Sequence, residues 1–135
     1  MLEDALASLS GENKPEKKTI DIKLAISAYI SDDYIHEDRV RLELYRRLSK
    51  ASDIQDIYKI EEEMEDRFGK PDIFTKQFIE LIIIKILALN LGIQSISSYE
   101  MAITFTKAND TKETIKSPSK DDDDIIATTL RYLRK

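Results

Sequence analysis

Glu63-Met64-Glu65-Asp66-Arg67-Phe68-Gly69 closes a helix, and how it closes orders the rest of the chain. Ile57, Ile60, Met64 and Phe68 recur at helical spacing and form one buried stripe, with Phe68 in the core sealing the helix end. At about 100° per residue, Glu63 and Asp66 point well away from that stripe and face solvent or a partner. Gly69 reads as the left-handed residue that ends the helix, where glycine takes a positive φ at no steric cost. The last two turns carry Glu61, Glu62, Glu63, Glu65 and Asp66, with Arg67 as the opposing charge. Carboxylates near a helix C-terminus work against the macrodipole by roughly 0.3–1 kcal/mol each when exposed. On these residues alone the acidic face fits either plain solvation or a basic surface that it meets.

Upstream, Ile20, Ile22, Leu24, Ile26, Ala28 and Ile30 share one face of residues 19–30, the pattern of a half-buried β-strand. Residues 31–37 are a loop, and helices are expected over 38–51 and 53–68, with Ser52-Asp53 supplying the N-cap between them. Near-continuous apolar character marks 73–91 as a helix buried on most sides. Ile82-Ile83-Ile84 is β-branched, but the length of the segment and the stop at Gly92 favour helix. Residues 93–97 and 101–106 alternate around Ser98-Tyr99-Glu100, giving a hairpin. A polar loop follows over 107–120. Asp121 to Asp124 then open a final helix that ends in Arg131, Arg134 and Lys135, both ends matching the dipole. Ahead of the strand, residues 2–9 form a short amphipathic helix and residues 10–18 a polar linker. The expected organisation is an N-terminal helix and linker over 1–18 and one domain over 19–135. The expected fold class is α+β: a small antiparallel sheet, made of one long strand plus a hairpin, packed with several α-helices.

At 135 residues the chain is one domain's worth of sequence, enough to bury roughly two-thirds of its unfolded surface. Its net charge of −5 makes it a poor default binder of DNA or anionic membrane, whose affinity rests on Lys and Arg. No cysteine is present, which removes disulfides, thiolate metal sites and a Cys nucleophile and fits a reducing cytoplasm. The start Met1-Leu2-Glu3-Asp4 is acidic and has no signal-peptide character. The longest apolar run, residues 78–91, is broken by Glu80 and Lys85 and is too short to span a bilayer.

Candidate chemistry is sparse. His36, the one histidine, has no Ser or Cys nucleophile motif beside it and reads as a solvated loop residue. The Asp121–Asp124 run lacks the alternating ligands and distal Glu of a calcium loop and reads as a helix start. Gly11, Gly69 and Gly92 cannot make a phosphate-binding loop, so ATP hydrolysis by this segment is not expected. Arg39, Arg46 and Lys50, with Glu43 among them, line the outer side of their helix as a solvated face with paired charges. Tyr34 and Tyr45 sit at apolar-side spacing. The expectation is no catalytic, cofactor-binding or metal-binding residue.

Two runs carry a family resemblance. The first is Tyr34-Ile35-His36-Glu37-Asp38-Arg39-Val40-Arg41-Leu42-Glu43-Leu44-Tyr45-Arg46-Arg47-Leu48, and the second is Glu63 to Gly69. Tyr-Ile, then Arg-x-Arg-Leu-Glu-Leu-Tyr-x-Arg-Leu, a second helix and Glu-x-x-Asp-Arg-Phe-Gly together resemble the C-terminal (TRCF) domain of the bacterial transcription-repair coupling factor, Mfd. The helix ending at Asn90-Leu91-Gly92-Ile93 follows at the family's usual distance, so the match covers about residues 19–105. The chain departs from the family at His36 and Ser31, where proline is usual, and at Pro71, one place early. The resemblance implies a regulatory, autoinhibitory domain of an ATP-dependent DNA translocase that displaces stalled RNA polymerase and recruits nucleotide excision repair. In the family this domain packs on a UvrB-like module and masks its UvrA-binding surface. Glu63 and Asp66 take the family's interdomain contact positions, and Arg67, Phe68 and Gly69 its structural motif. The implied setting is cytoplasmic, with RNA polymerase and DNA as the parent's partners, no membrane, and a monomeric isolated domain. The competing reading is a nucleic-acid-binding accessory domain of a repair or helicase protein, which salt-dependent DNA affinity of the isolated chain would favour.

Overall fold

Burial alternates residue by residue from 20 to 30, ending with Ile30 in the core, as the sequence pattern requires. Hydrogen bonding follows a shorter course. In the computed structural model, which describes residues 20–134, only Asp21–Lys23 (β1) joins a sheet. Beyond Lys23 the chain bends at Ala25 and Ile26, where the Ile26 N–H donates to the Leu24 carbonyl (2.9 Å), and further N–H groups bond to side chains and a helix end instead of a strand. Ala25 donates to Ser98 Oγ (2.8 Å), Ser27 to Asp122 Oδ2 (2.9 Å), and Tyr29 to the Phe74 carbonyl (3.2 Å). The expected long strand is thus a short strand with an extended arm, because side-chain, turn and helix-end acceptors satisfy its backbone donors in place of a neighbouring strand.

Helix α1 (Asp38–Lys50) buries Leu44 and Leu48, and α2 (Ile54–Phe68) buries Ile57, Ile60 and Met64. Asp53 caps α2, its side chain accepting from the Gln55 N–H at 3.0 Å. Helix α3 (Ile73–Asn90) is buried on several faces. Its cap is Asp72, whose carboxylate accepts from the Thr75 N–H at 3.0 Å. Burial pushes the Asp72 carboxyl up, but hydrogen bonds from Thr75 and Ser31 outweigh that and hold it below its ordinary value. At Ser31 the backbone N–H donates to Thr75 Oγ1 (3.1 Å), a bond that proline could not make.

Strands β2 (Ile93–Tyr99) and β3 (Ala102–Lys107) pair antiparallel as the expected hairpin. Two features correct the sheet expected from sequence. The segment expected to be a loop over 107–120 contains a fourth strand, β4 (Lys112–Lys116), antiparallel to β3. Furthermore, β1 pairs with β2 in parallel, with Ile22 opposite Ile96. The sheet is therefore mixed, in the order β1-β2-β3-β4, and the fold is α+β. Parallel pairing needs a long connection, and α1 to α3, all lying between the two strands, supply it. Helix α4 (Asp122–Leu133) completes the domain. The N-terminal helix and linker expected over 1–18 lie outside the described residues.

Candidate functional site

The final turns of α2 bring the two informative runs of sequence together. Arg47 on α1 holds Glu63 on α2 with both prongs of its guanidinium, Nη1 to Oε2 at 2.8 Å and Nη2 to Oε1 at 2.9 Å. Arg67 approaches the same carboxylate at 3.7 Å. This two-point geometry fixes the orientation of a carboxylate as well as its position. The Arg47 hydrogen bond, against some desolvation, holds the Glu63 carboxyl below its ordinary value, and the same bond raises the Arg47 guanidinium. Both side chains remain about two-fifths exposed, so the pair contributes on the order of 0–1 kcal/mol.

Arg67 was not the only counter-charge to the acids of α2. Lys76 on α3 pairs with Glu61 at 3.0 Å, and Arg47 takes Glu63. Glu62, Glu65 and Asp66 are exposed, and among the described residues none of the three has an ion-pair partner. Glu63 is therefore half-buried and oriented, while Asp66 stands free beside it. Helical spacing located both carboxylates. Arg47 went unrecognised because its pairing depends on which helices pack together. Its one local signal is its place next to the buried Leu48.

The turn that closes α2 is tied to the same neighbourhood. Gly69 has φ 86° and ψ −173°, and its N–H donates to the Glu65 carbonyl at 2.9 Å. That positive φ with an extended ψ is a region open essentially to glycine alone. Tyr34 donates its hydroxyl to the Gly69 carbonyl at 2.7 Å, with the Met64 carbonyl at 3.3 Å. Burial, reinforced by Glu65, Asp72 and Glu61, pushes the Tyr34 hydroxyl up to about 12. Phe68, expected in the core, is instead half-buried at its edge, packs edge-on against Tyr34 with ring centroids 5.9 Å apart, and lies under the Arg67 guanidinium at 4.8 Å. Arg67, Phe68 and Gly69 thus build one closure that Tyr34 pins from the preceding loop.

The remaining candidates fall where sequence placed them, but the paired charges expected among Arg39, Glu43, Arg46 and Lys50 do not form among the described residues. His36 is exposed, as are Arg39, Glu43, Arg46 and Lys50. Tyr45 packs edge-on with Phe78 at 4.9 Å and accepts from the Ile30 N–H. Asp121 is the N-cap of α4, with Asp122, Asp123 and Asp124 in its first turn. Asp122 anchors the extended arm and also accepts from Gln77 on α3 at 3.2 Å. Among the described residues no helix is long and apolar enough to cross a membrane.

Residues 24–117 match the TRCF domain family. The match runs through β4, farther than the two sequence runs reach. The transcription-repair-coupling factor of Helicobacter pylori (strain J99) is 46% identical over 133 residues, which is 98% of this chain and 13% of that protein. The Rickettsia typhi protein of the same name is 30% identical over 119 residues, 85% of this chain and 11% of its own length. A crystal structure of the C-terminal domain of transcription-repair coupling factor superposes with a TM-score of 0.63 over 67% of this chain and 56% of that one, at 24% identity, a likeness of fold. The chain spans a small fraction of the length of these curated relatives.

Proposed function

The chain belongs to the TRCF domain family, and from that premise we propose that it is the autoinhibitory C-terminal domain of a transcription-repair coupling factor. In this reading the parent is an ATP-driven DNA translocase that removes stalled RNA polymerase and recruits excision repair in the cytoplasm. This domain, itself without catalysis, packs on a UvrB-like module of the same protein and covers the surface that UvrA uses. Glu63 and Asp66 make the contact. One observation carries the reading: Asp66 is exposed and unpaired beside a Glu63 whose carboxylate Arg47 already orients. An oriented acidic face is preorganised for a basic partner, and preorganisation lowers the cost of binding. Held on a tether, such a contact works at an effective concentration of roughly mM, so a modest interface can stay shut and still be opened.

The test is Glu63→Ala with Asp66→Ala, read in two settings. In the isolated chain, Asp66→Ala changes stability by less than about 0.5 kcal/mol. Glu63→Ala costs up to about 1 kcal/mol, because it breaks the Arg47 pair. In the full-length parent the double variant opens the closed state, since losing one side of a desolvated charge contact costs about 2–5 kcal/mol. Opening reads as a raised ATPase rate and as UvrA capture without RNA polymerase. A folded double variant that stays at the resting level in both assays leaves the acidic face merely solvated. For the isolated chain the expected ATPase rate is that of buffer, with no thermal shift on adding nucleotide or divalent ions.

A further inference from the structure

Arg47 belongs to a second feature. Where α1 turns into α2, an open groove of about 430 Å³ is lined by Arg47, Lys50, Ala51, Asp56, Lys59 and Ile60. Its apolar part is Ala51, half-buried, and Ile60, which is 8% exposed. Three cations face it against one acid, in a chain whose net charge is −5. Arg47 is committed to Glu63. Lys50 and Lys59 are exposed, and among the described residues neither has an ion-pair partner. Asp56 lies three residues from Lys59 on α2, yet the two do not pair. The dipole accounts for Lys50, which ends its helix. It does not account for Lys59 near the middle of α2.

Helical spacing joins this groove to the acidic face. Lys59, Glu63 and Asp66 stand at i, i+4 and i+7 on α2, so they share one side of the helix. At 1.5 Å of rise per residue, Lys59 and Asp66 lie about 10 Å apart along the axis. A single surface therefore runs from a positive groove, across the Arg47–Glu63 pair, to a negative end. We propose that the groove is the second half of the docking surface and receives an acidic segment of the same partner that presents basic side chains to Glu63 and Asp66. The proposal rests on the reading above and deepens it. The partner must carry an acidic and a basic group about 10 Å apart, in that order along α2, and the charge pattern fixes the docking direction as well as the strength.

The test uses the full-length parent with one dye on this domain and one on the upstream module, the fraction closed being read by energy transfer. Lys50→Glu with Lys59→Glu is compared with Glu63→Ala plus Asp66→Ala and with wild type. Each pair is expected to raise the open-to-closed ratio about tenfold or more. Lys50→Gln with Lys59→Gln shifts it in the same direction by less. Reversing the two lysines makes the domain more acidic, so a purely long-range attraction to a basic partner would tighten the closed state instead. Should the lysine pair leave the ratio within about twofold of wild type, or lower it, while the acidic pair opens the protein, the groove plays no part and the autoinhibitory reading stands. If neither pair opens it, both ideas fall. Opening by the lysine pair alone keeps the groove and removes the acidic face from the contact.

Discussion

Around α1 and α2 the core gathers Leu44, Leu48, Ile57, Ile60 and Met64, whereas around the sheet it gathers Ile96, Ile103, Phe105 and Ile125. Helix α3 feeds both, giving Ile79, Ile82, Ile83 and Ile86 to the first cluster and Ile84 and Ala88 to the second. The interiors are alike, but the surfaces are tied differently. In the helical half, ion pairs bridge separate helices, Arg47 to Glu63 and Lys76 to Glu61. In the sheet half, Lys107 on β3 also meets Glu113 on β4 at 4.0 Å and Lys120 meets Glu100 at 3.5 Å, beside a stacked Phe105–Tyr132 pair with centroids 4.0 Å apart, a Tyr132–Glu113 hydrogen bond and a Thr104–Thr114 bond between strands. What sets the helical half apart is a two-point ion pair between helices, Arg47 with Glu63, and the candidate contact surface is built on it.

The largest expected effect tests whether the two halves are one unit. Ile84 is fully buried in the sheet-side cluster, yet it stands on the shared helix. Ile84→Ala should cost about 2–5 kcal/mol and lower the denaturation midpoint of both halves together. Amide exchange resolved by residue checks this, and separate transitions for Leu48 and Ile103 would split the domain in two.

Next comes the closure of α2. A Cβ at Gly69 meets nothing within 4 Å, so the cost of Gly69→Ala is backbone strain alone, about 1–3 kcal/mol. A chemical melt measures it. A neutral result would show the helix end relaxing freely and the helical half less fixed than its ion pairs imply.

The smallest effect is a pH signature. Glu63 and Asp72 both have folded pKa values below their ordinary ones, and both lie on the helical side. A depressed carboxylate adds stability above its unfolded pKa, about 3.9 for Asp and 4.3 for Glu, and that stability disappears as pH falls through the folded value. Acidification from pH 5 to 3 should therefore weaken amide protection in α1, α2 and the first turn of α3 ahead of β2 and β3, with Glu80 on α3, whose carboxyl is raised by burial, working in the opposite direction. Arg47→Gln should remove the Glu63 share, no more than about 1 kcal/mol given its exposure. Simultaneous loss in both halves would contradict the assignment.

The helices were legible because their signals are local. Leu44 and Leu48, then Ile57, Ile60 and Met64, mark their own buried faces by spacing, and Asp53 announces the cap between them. The strand was legible as a face but not as a ladder. Alternation from Ile20 to Ile30 records which side is buried; it cannot record that the N–H of Ser27 would find Asp122 rather than a neighbouring strand. β4 escaped notice because Lys-Glu-Thr-Ile-Lys carries a single apolar residue, as an exposed edge strand can. The same division holds at the candidate site. Glu63, Asp66 and Gly69 could be placed from their own helix, while Arg47 and Tyr34 become partners only when distant segments meet.

The shared helix also determines how the domain handles load. Eighteen residues make α3 a rod of about 27 Å, and it is clamped by packing on both sides. A pull arriving along the chain from upstream enters at β1, on the edge of the sheet, whereas the acidic ridge lies on α2. Between them stands α3, which gives side chains to both cores. Force entering at the sheet edge therefore has a packed path to α2 through α3.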